Sequence, residues 1–386
     1  MKPLMEKRAR HSHECLKSIA ATSWSISSML LEGQRQIRYE FDTRELIRRS
    51  ADCGVLPVMS RFAVDKLFLS LAPLIAVGAV RDAVAQAGLD RMTAGGVAIA
   101  SNPAAGCALW SWVWNGVEFI NVRDYGREIQ SSIALLDRTK GGNPTEAGNR
   151  HSDASLLARG ELPKGSKCVL NQMDTTTSAA APVQRTLSVP LEWDPDAFGG
   201  SRDKPIPYND FKLGKELALN FAGMGPVAEY RTVVLSRTRI AKAAVEIPAI
   251  YLRGDLTVVE LYDARSKTAR RLRVPKNRMD GVYPDSGWGG LIACNESGTF
   301  AFGIYGVLTS HGGSVTGPGA GFQYGRFVDP AEKASFGSDS HTTTKINALA
   351  VGPLISGRNV FRVFLMTGTR AEVERKMAAL AAAGDR

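Results

Sequence analysis

No two cysteines of this 386-residue chain stand in a C-x-x-C pair, and the five of them are scattered at positions 15, 53, 107, 168 and 294. That spacing excludes the common zinc-finger and dithiol motifs, and the odd count sets no disulfide framework. No G-x-G-x-x-G follows a candidate strand, so a doubly wound dinucleotide fold is not expected. H-E-x-x-H and H-x-H units are missing after residue 86, where the histidines are His151, His311 and His341. Only a zinc site assembled across loops would remain, and no metal is expected. "SHGGS" and "SDSH" do not have the G-x-S-x-G elbow of a serine hydrolase, and "TGPGAGF" has no P-loop lysine. No cofactor is therefore expected. The longest apolar run, residues 67–80, is about 14 residues, short of the roughly 20 that span a bilayer.

What is present is ordinary globular material, 44% hydrophobic and 22% charged, with 38 glycines that suit a turn-rich β-protein. The formal charge of +10 comes from scattered Lys and Arg. Its densest run, "TARRLRVPKNR" from Thr268, alternates like an exposed strand and its turn. No recognition helix or RNA-binding aromatic motif accompanies it, so nucleic acid is not an expected partner. An anionic polysaccharide is the alternative partner for such a run.

Residues 59–86 have the layout of a secretory signal. Arg61 and Lys66 precede the apolar run, and Ala83-Val84-Ala85 offers a small-x-small cleavage pattern. A buried helix is the competing reading, and Arg81 and Asp82 fit it better. With a signal there, residues 1–58 read as an over-extended translation start outside the fold, with Met59 as initiator. Residues 87–386 would form the mature domain, periplasmic or secreted and not integral to a membrane.

From Gly96 onward the hydrophobic period is two. "ALWSWVWNGVEFINV" reads as a hairpin turning at Asn115-Gly116, whose residue types supply the positive φ of a type I′ turn. Alternation places Trp110, Trp112 and Trp114 on one face, read as core with sugar stacking as the alternative. Further strands follow in "EIQSSIALL", "SKCVLNQM", "VQRTLSVPLEW", "KELALNF", "EYRTVVLS", "AVEIPAIYL", "LTVVELYDA" and "ARRLRVP". A second hairpin turns at Asn295 to Gly298, and "KINALAVGPL" and "NVFRVFLMTGT" complete the pattern. "SHGGSVTGPGAGFQYG" and "EWDPDAFGGSRDKPIPYND" read as long loops. Only the end is helical: Thr369 and Glu372 form a capping box, and Val373, Met377 and Leu380 share a face. The expected fold is all-β, one large antiparallel β-sandwich over residues 96–367 with one C-terminal α-helix.

"WNGVEFINVRDYGREIQSS", "NPTEAG", "EIPAIYL", "GWGGLIACNESGTFAFGIYG" and "FRVFLMTGTRAEVERKM" together resemble secreted bacterial β-sandwich proteins of polysaccharide breakdown with the galactose-mutarotase-like supersandwich. The resemblance covers roughly residues 96–383. It implies a fold and a substrate class, and it carries no catalytic role onto any position.

Candidate site residues gather in residues 123–153. Asp124 and Glu146 could supply the carboxyl pair of a glycoside hydrolase. Arg127, Asn143, Tyr125 and His151 could serve a polysaccharide lyase, which needs a group to quiet a uronate carboxylate and a base. Glu146, between Pro144 and Gly148, is the residue expected to matter most, with His151 or Asp124 as partner. Each also has a plainer reading: Asp124 and Arg127 can pair across a turn, and Glu146 can cap backbone. Glu128 and Gln130 alternate on one strand face, toward solvent or a groove. A second wall, residues 283–290, offers Trp288 for stacking on a sugar ring and Asp285 for its hydroxyls, and His341 completes the substrate-binding set. The expected function is a carbohydrate-active protein, a glycoside hydrolase acting on a polysaccharide or oligosaccharide. A lyase on the same scaffold and a non-catalytic glycan-binding envelope protein are the alternatives.

Overall fold

Apolar alternation with a period of two builds most of the described residues into strands. The computed structural model describes residues 24–31, 34–41, 88–121, 128–137, 140–144, 165–174, 181–193, 195–200, 204–284, 288–307, 321–328 and 342–383. The chain divides into two units, residues 1–79 and 80–386. In the first, β1 (Trp24–Leu31) and β2 (Gln34–Phe41) pair as an antiparallel hairpin. Residues 59–86, where the export signal is expected, lie outside the described residues.

The second unit is the expected antiparallel sandwich. Its 11-stranded sheet has the path β17 (Met279–Val282), β20 (Gly321–Val328), β21 (Thr342–Leu354), β14 (Ile240–Arg253), β7 (Ile129–Leu135), β5 (Ala108–Trp114), β4 (Val97–Asn102) and β3 (Asp90–Ala94). Short strands β6 (Val117–Glu118), β8 (Lys140–Asn143) and β11 (Leu191–Glu192) attach beside it. The nine-stranded sheet runs β16 (Thr268–Arg271), β15 (Val258–Asp263), β18 (Trp288–Cys294), β19 (Ala301–Val307), β22 (Gly357–Gly368), β13 (Val227–Ser236), β12 (Phe211–Ala218), β10 (Val183–Ser188) and β9 (Cys168–Asp174). Between the sheets, Ile129, Ile133, Val245 and Ile346 from one pack with Leu213, Leu291, Ile304 and Val363 from the other.

The β5–β6 turn has the positive φ that Asn-Gly predicts, 49° at Asn115 and 77° at Gly116. The three tryptophans do not share a face, however. The register of β4 against β5 shifts between Ala100 and Ser101, leaving Trp110 without a pair. This β-bulge resets the alternation. Trp112 and Trp114 therefore pack in the main core, while Trp110 joins Leu89 and Ala100 in a separate cluster. The glycine-rich stretch expected as a loop also ends differently: β20 begins at Gly321, inside it.

The C-terminal helix α1 (Arg370–Ala382) is capped as expected, with Thr369 and Glu372 bonding reciprocally. It covers the outer face of the nine-stranded sheet, where Val373, Met377 and Leu380 pack on Ile292, Tyr305 and Phe364. Burying such side chains contributes about 1.5–3 kcal/mol each. Gly303 permits the close approach, because a Cβ there would lie 2.6 Å from the Val373 Cγ1. β18, β19 and β22 are thus covered on both faces, which explains their nearly continuous apolar sequence. Among the described residues no helix is long and apolar enough to cross a membrane.

Candidate functional site

The face of the 11-stranded sheet turned away from the other sheet is polar at its centre. On β14 the register shifts between Glu246 and Ala249 against both neighbours. Val245, Ile247, Ile250 and Leu252 consequently enter the core, while Glu246, Ala249 and Tyr251 take the outward side. On β21 the core takes Ile346 and Ala348, which leaves Lys345 and Asn347 outward. On β7 it takes Ile129 and Ile133, leaving Gln130 and Ser132.

Glu246 is the hub of this face. Its carboxylate accepts hydrogen bonds from Ser132 Oγ at 2.5 Å, Lys345 Nζ at 2.8 Å and Asn347 Nδ2 at 2.7 Å. Asn347 Nδ2 also reaches Gln323 Oε1 on β20 at 3.2 Å. The Lys345 ammonium lies 4.9 Å from the centre of the Tyr251 ring. Burial works against its charge, but Glu246 and Tyr251 outweigh that and hold its pKa above the usual lysine range. It is a fixed cation at neutral pH, not a base. Asn347 is fully buried, and its Oδ1 has no hydrogen-bond partner among the described residues.

A half-exposed aromatic ring also borders this group. Tyr283 is 50% exposed, and a Cβ on Gly321 would meet its ring at 2.7 Å. Gly321 lies opposite Leu349, which lies opposite Glu246, which lies opposite Ser132. The ring thus stands at one end of the cross-strand row that contains the carboxylate. Gly321 leaves it that place, since any side chain would displace it.

A second polar cluster lies between the sheets. Ser131 bonds Thr232 at 2.8 Å and Tyr230 at 3.2 Å, and Lys215 Nζ donates to the Cys107 carbonyl. Cys107 is disulfide-bonded to Cys168, and Cys294 is free and buried. A cleft lined by Gly106, Cys107, Ser131, Thr186, Lys215 and Tyr230 has room for about one water. Nearby Glu128 is 1% exposed, and neither of its carboxylate oxygens has a hydrogen-bond partner among the described residues. Burial pushes its pKa up to about 8 against the pull of Lys215. Burial pushes Lys215 down to about 7, opposed by Glu128 and Asp90. A cleft of this size admits no sugar.

Glu146, Asp124, His151, Arg127, Tyr125, Asp285 and His341 lie outside the described residues. Gln130 and Asn143 are both buried, at 2% exposure. Gln130 alternates with Ile129 onto the side of Ser132, and it also lines the Lys215 cleft. The register that sets Ile133 opposite Gly142 places Asn143 opposite Ser132 on the same side. Glu128 is buried, not turned to solvent, because it enters the sheet beside the Lys215 cluster. Trp288 is not brought to this site. By alternation with Ile292 and Cys294 it lies on the helix-covered side of the nine-stranded sheet. Among the described residues no group of three or more His, Cys, Asp or Glu could hold a metal.

The sequence reading missed Glu246, Lys345 and Asn347. A carboxylate and Pro248 inside an otherwise apolar strand were the available signal, since proline within a central strand marks a bulge. "KIN" at residues 345–347 alternates as any solvent-facing strand would.

No protein-family model matches the chain, and no curated protein matches it in sequence. Solved structures do match it. An α-galactosidase from Lactobacillus brevis is similar at a TM-score of 0.40 and 8% identity, over 73% of this chain and 39% of that one. A galactose mutarotase-like protein from Clostridium acetobutylicum is similar at 0.38 and 8%, over 72% and 93%. The heparan sulfate lyase from Pedobacter heparinus is similar at 0.35 and 7%, over 74% and 36%. The chain thus spans well under half the length of the galactosidase and the lyase. These neighbours are galactose mutarotase-like and carbohydrate-active proteins; likenesses this distant carry no residue role and no activity across.

Proposed function

We propose that this is a carbohydrate-active enzyme that binds a polysaccharide or oligosaccharide across the outward face of the 11-stranded sheet. The observation that carries the reading is the Tyr283 ring, half exposed over Gly321 in the row that contains Glu246 and Ser132. An open aromatic ring beside a few convergent polar groups suits a pyranose, which offers one apolar face and a rim of hydroxyls. Glu246, Lys345 and Gln323, each partly exposed, supply acceptors and donors for that rim.

Hydrolysis is the first reaction reading. Glu246 would be one of its two carboxyl groups, and Glu146 or Asp124 the sequence candidates for the other. Elimination is the second, supported by the Lys345 ammonium and the neighbouring amides, a donor set that would hold a uronate carboxylate. We also assign the protein to the periplasm or the exterior. The signal-like residues 59–86 support this, as does the Cys107–Cys168 bond, of a kind that persists in oxidising compartments.

A glycan panel read by both reducing-end and ultraviolet detection tests the reading and separates the two reactions. Glu246→Gln is expected to lower kcat by about 10²-fold or more, and Tyr283→Ala to raise KM. Wild-type kinetics in both variants would overturn the assignment. Binding with no turnover by either detection would leave a glycan-binding protein in place of an enzyme.

A further inference from the structure

Residues 264–282 contain seven cations, Arg265, Lys267, Arg270, Arg271, Arg273, Lys276 and Arg278, against one acid, Asp280. All seven are exposed. Arg271 pairs with Glu296 at 2.8 Å, and Arg278 approaches Asp280 at 3.6 Å. Among the described residues no carboxylate pairs with Arg270, Arg273 or Lys276.

Protection of a sheet edge explains part of this charge, since lysine and arginine blunt edge strands. It does not explain the rest. β16 ends at Arg271; Arg273, Lys276 and Arg278 lie beyond it, on a segment tied to both sheets. The Leu272 amide donates to the Val259 carbonyl at 2.8 Å in the nine-stranded sheet. The Asn277 amide donates to Arg326 at 2.6 Å, and the Arg326 amide to Pro275 at 3.0 Å, in the 11-stranded sheet. These bonds hold the segment as a fixed strap.

The strap leads directly to the candidate site. The Arg278 carbonyl packs against Gly325, which is paired with Lys345. β17 follows at once, and Tyr283 comes just after it. Five residues of extended chain span about 16 Å, so a ligand touching both Arg278 and Tyr283 is an oligomer, not a single sugar. Exposed cations on a segment that runs into a stacking ring focus the field for a negatively charged chain.

We infer that the ligand is an anionic polysaccharide, its carboxylate or sulfate groups held along Arg273, Lys276 and Arg278 while a sugar ring stacks on Tyr283. This rests on the carbohydrate reading above and names its substrate class. The test uses the full chain with four probes: polygalacturonate, heparin, dextran and duplex DNA, each titrated at low and high salt. The variants are the triple substitution Arg273→Gln, Lys276→Gln and Arg278→Gln, all at exposed positions, and Tyr283→Ala. Thermal melting checks that both fold.

The expected result is binding of polygalacturonate or heparin about tenfold or more tighter than dextran at low salt, converging as salt screens the charges. The triple variant should lose that advantage without changing dextran, and Tyr283→Ala should weaken every polysaccharide. Which acidic polymer binds tells carboxylate from sulfate. Equal binding of dextran, or an unchanged triple variant, would overturn the inference while a Tyr283 effect kept the carbohydrate reading standing. DNA bound as tightly as the acidic polysaccharides, with no Tyr283→Ala effect, would overturn both.

Discussion

The Glu246 carboxylate and the Lys345 ammonium meet at 2.8 Å across the central strands β14 and β21, with 16% and 12% of their side chains exposed. Breaking a pair this deeply set, by removing one member, typically costs about 3–5 kcal/mol, because the remaining charge has lost its counterion. Lys345→Met should therefore destabilise the fold by about 3 kcal/mol in urea titration. Adding Glu246→Leu should recover much of it. If Lys345→Met lies within about 0.5 kcal/mol of wild type, the pair is screened by solvent and does not organise the face.

Glu128 and Lys215 predict a stability minimum near neutral to slightly alkaline pH. Glu128 is raised from 4.5 to about 8 in the fold, so between those values the folded state binds the extra proton and stability falls as pH rises. Lys215 is lowered from 10.5 to about 7, so between those values the unfolded state binds the extra proton and stability rises with pH. Glu128→Gln should flatten the descending limb, and Lys215→Met the ascending one. Urea midpoints across both ranges check this; variants whose profiles parallel wild type would contradict it.

The Cys107–Cys168 bond closes a loop with a sequence separation of 61. In the chain-entropy account that constraint is worth about 4 kcal/mol. Reduction, or a Cys107→Ser/Cys168→Ser double variant, should lower the unfolding midpoint accordingly. Cys294 should resist thiol reagents in the native state, being buried, with desolvation pushing its pKa up to about 11. Labelling followed by mass spectrometry would show Cys294 reacting only after unfolding. Cys107 and Cys168 should label only after reduction.

Thr369→Ala removes the hydroxyl that accepts from the Glu372 amide and should cost about 1 kcal/mol. Met377→Ala should cost about 2–5 kcal/mol, because Met377 fills the space between α1 and the glycines of β18 and β19. Neither change touches the outward face of the other sheet, so turnover and ligand affinity should persist in the folded fraction. A loss of affinity matching that of Glu246→Gln would show the helix and the polar face to be coupled.

Strand and turn chemistry are local, and the sequence by itself determined them. Asn115-Gly116 turns because those residues tolerate positive φ. The helix begins at Thr369 because its side chain and that of Glu372 satisfy free backbone donors. Alternation every second residue marked most strands, and hence an antiparallel sandwich. What alternation cannot report is which way a strand faces once its register slips. The shift between Ala100 and Ser101 separated Trp110 from Trp112, and the shift between Glu246 and Ala249 set the outward side of β14. Burial likewise depends on neighbours distant in sequence. Gln130 and Asn143 were recognisable as polar residues in a dense polar stretch, but only the pairing with β14 decides that Gln130 lies opposite Ala249 and is buried. Trp288 was the platform expected from the sequence, and Tyr283, five residues before it, was missed. The sheet each joins separated them, because strand order and the bare Cα of Gly321 put Tyr283 over the polar face, while α1 claims the face on which Trp288 lies.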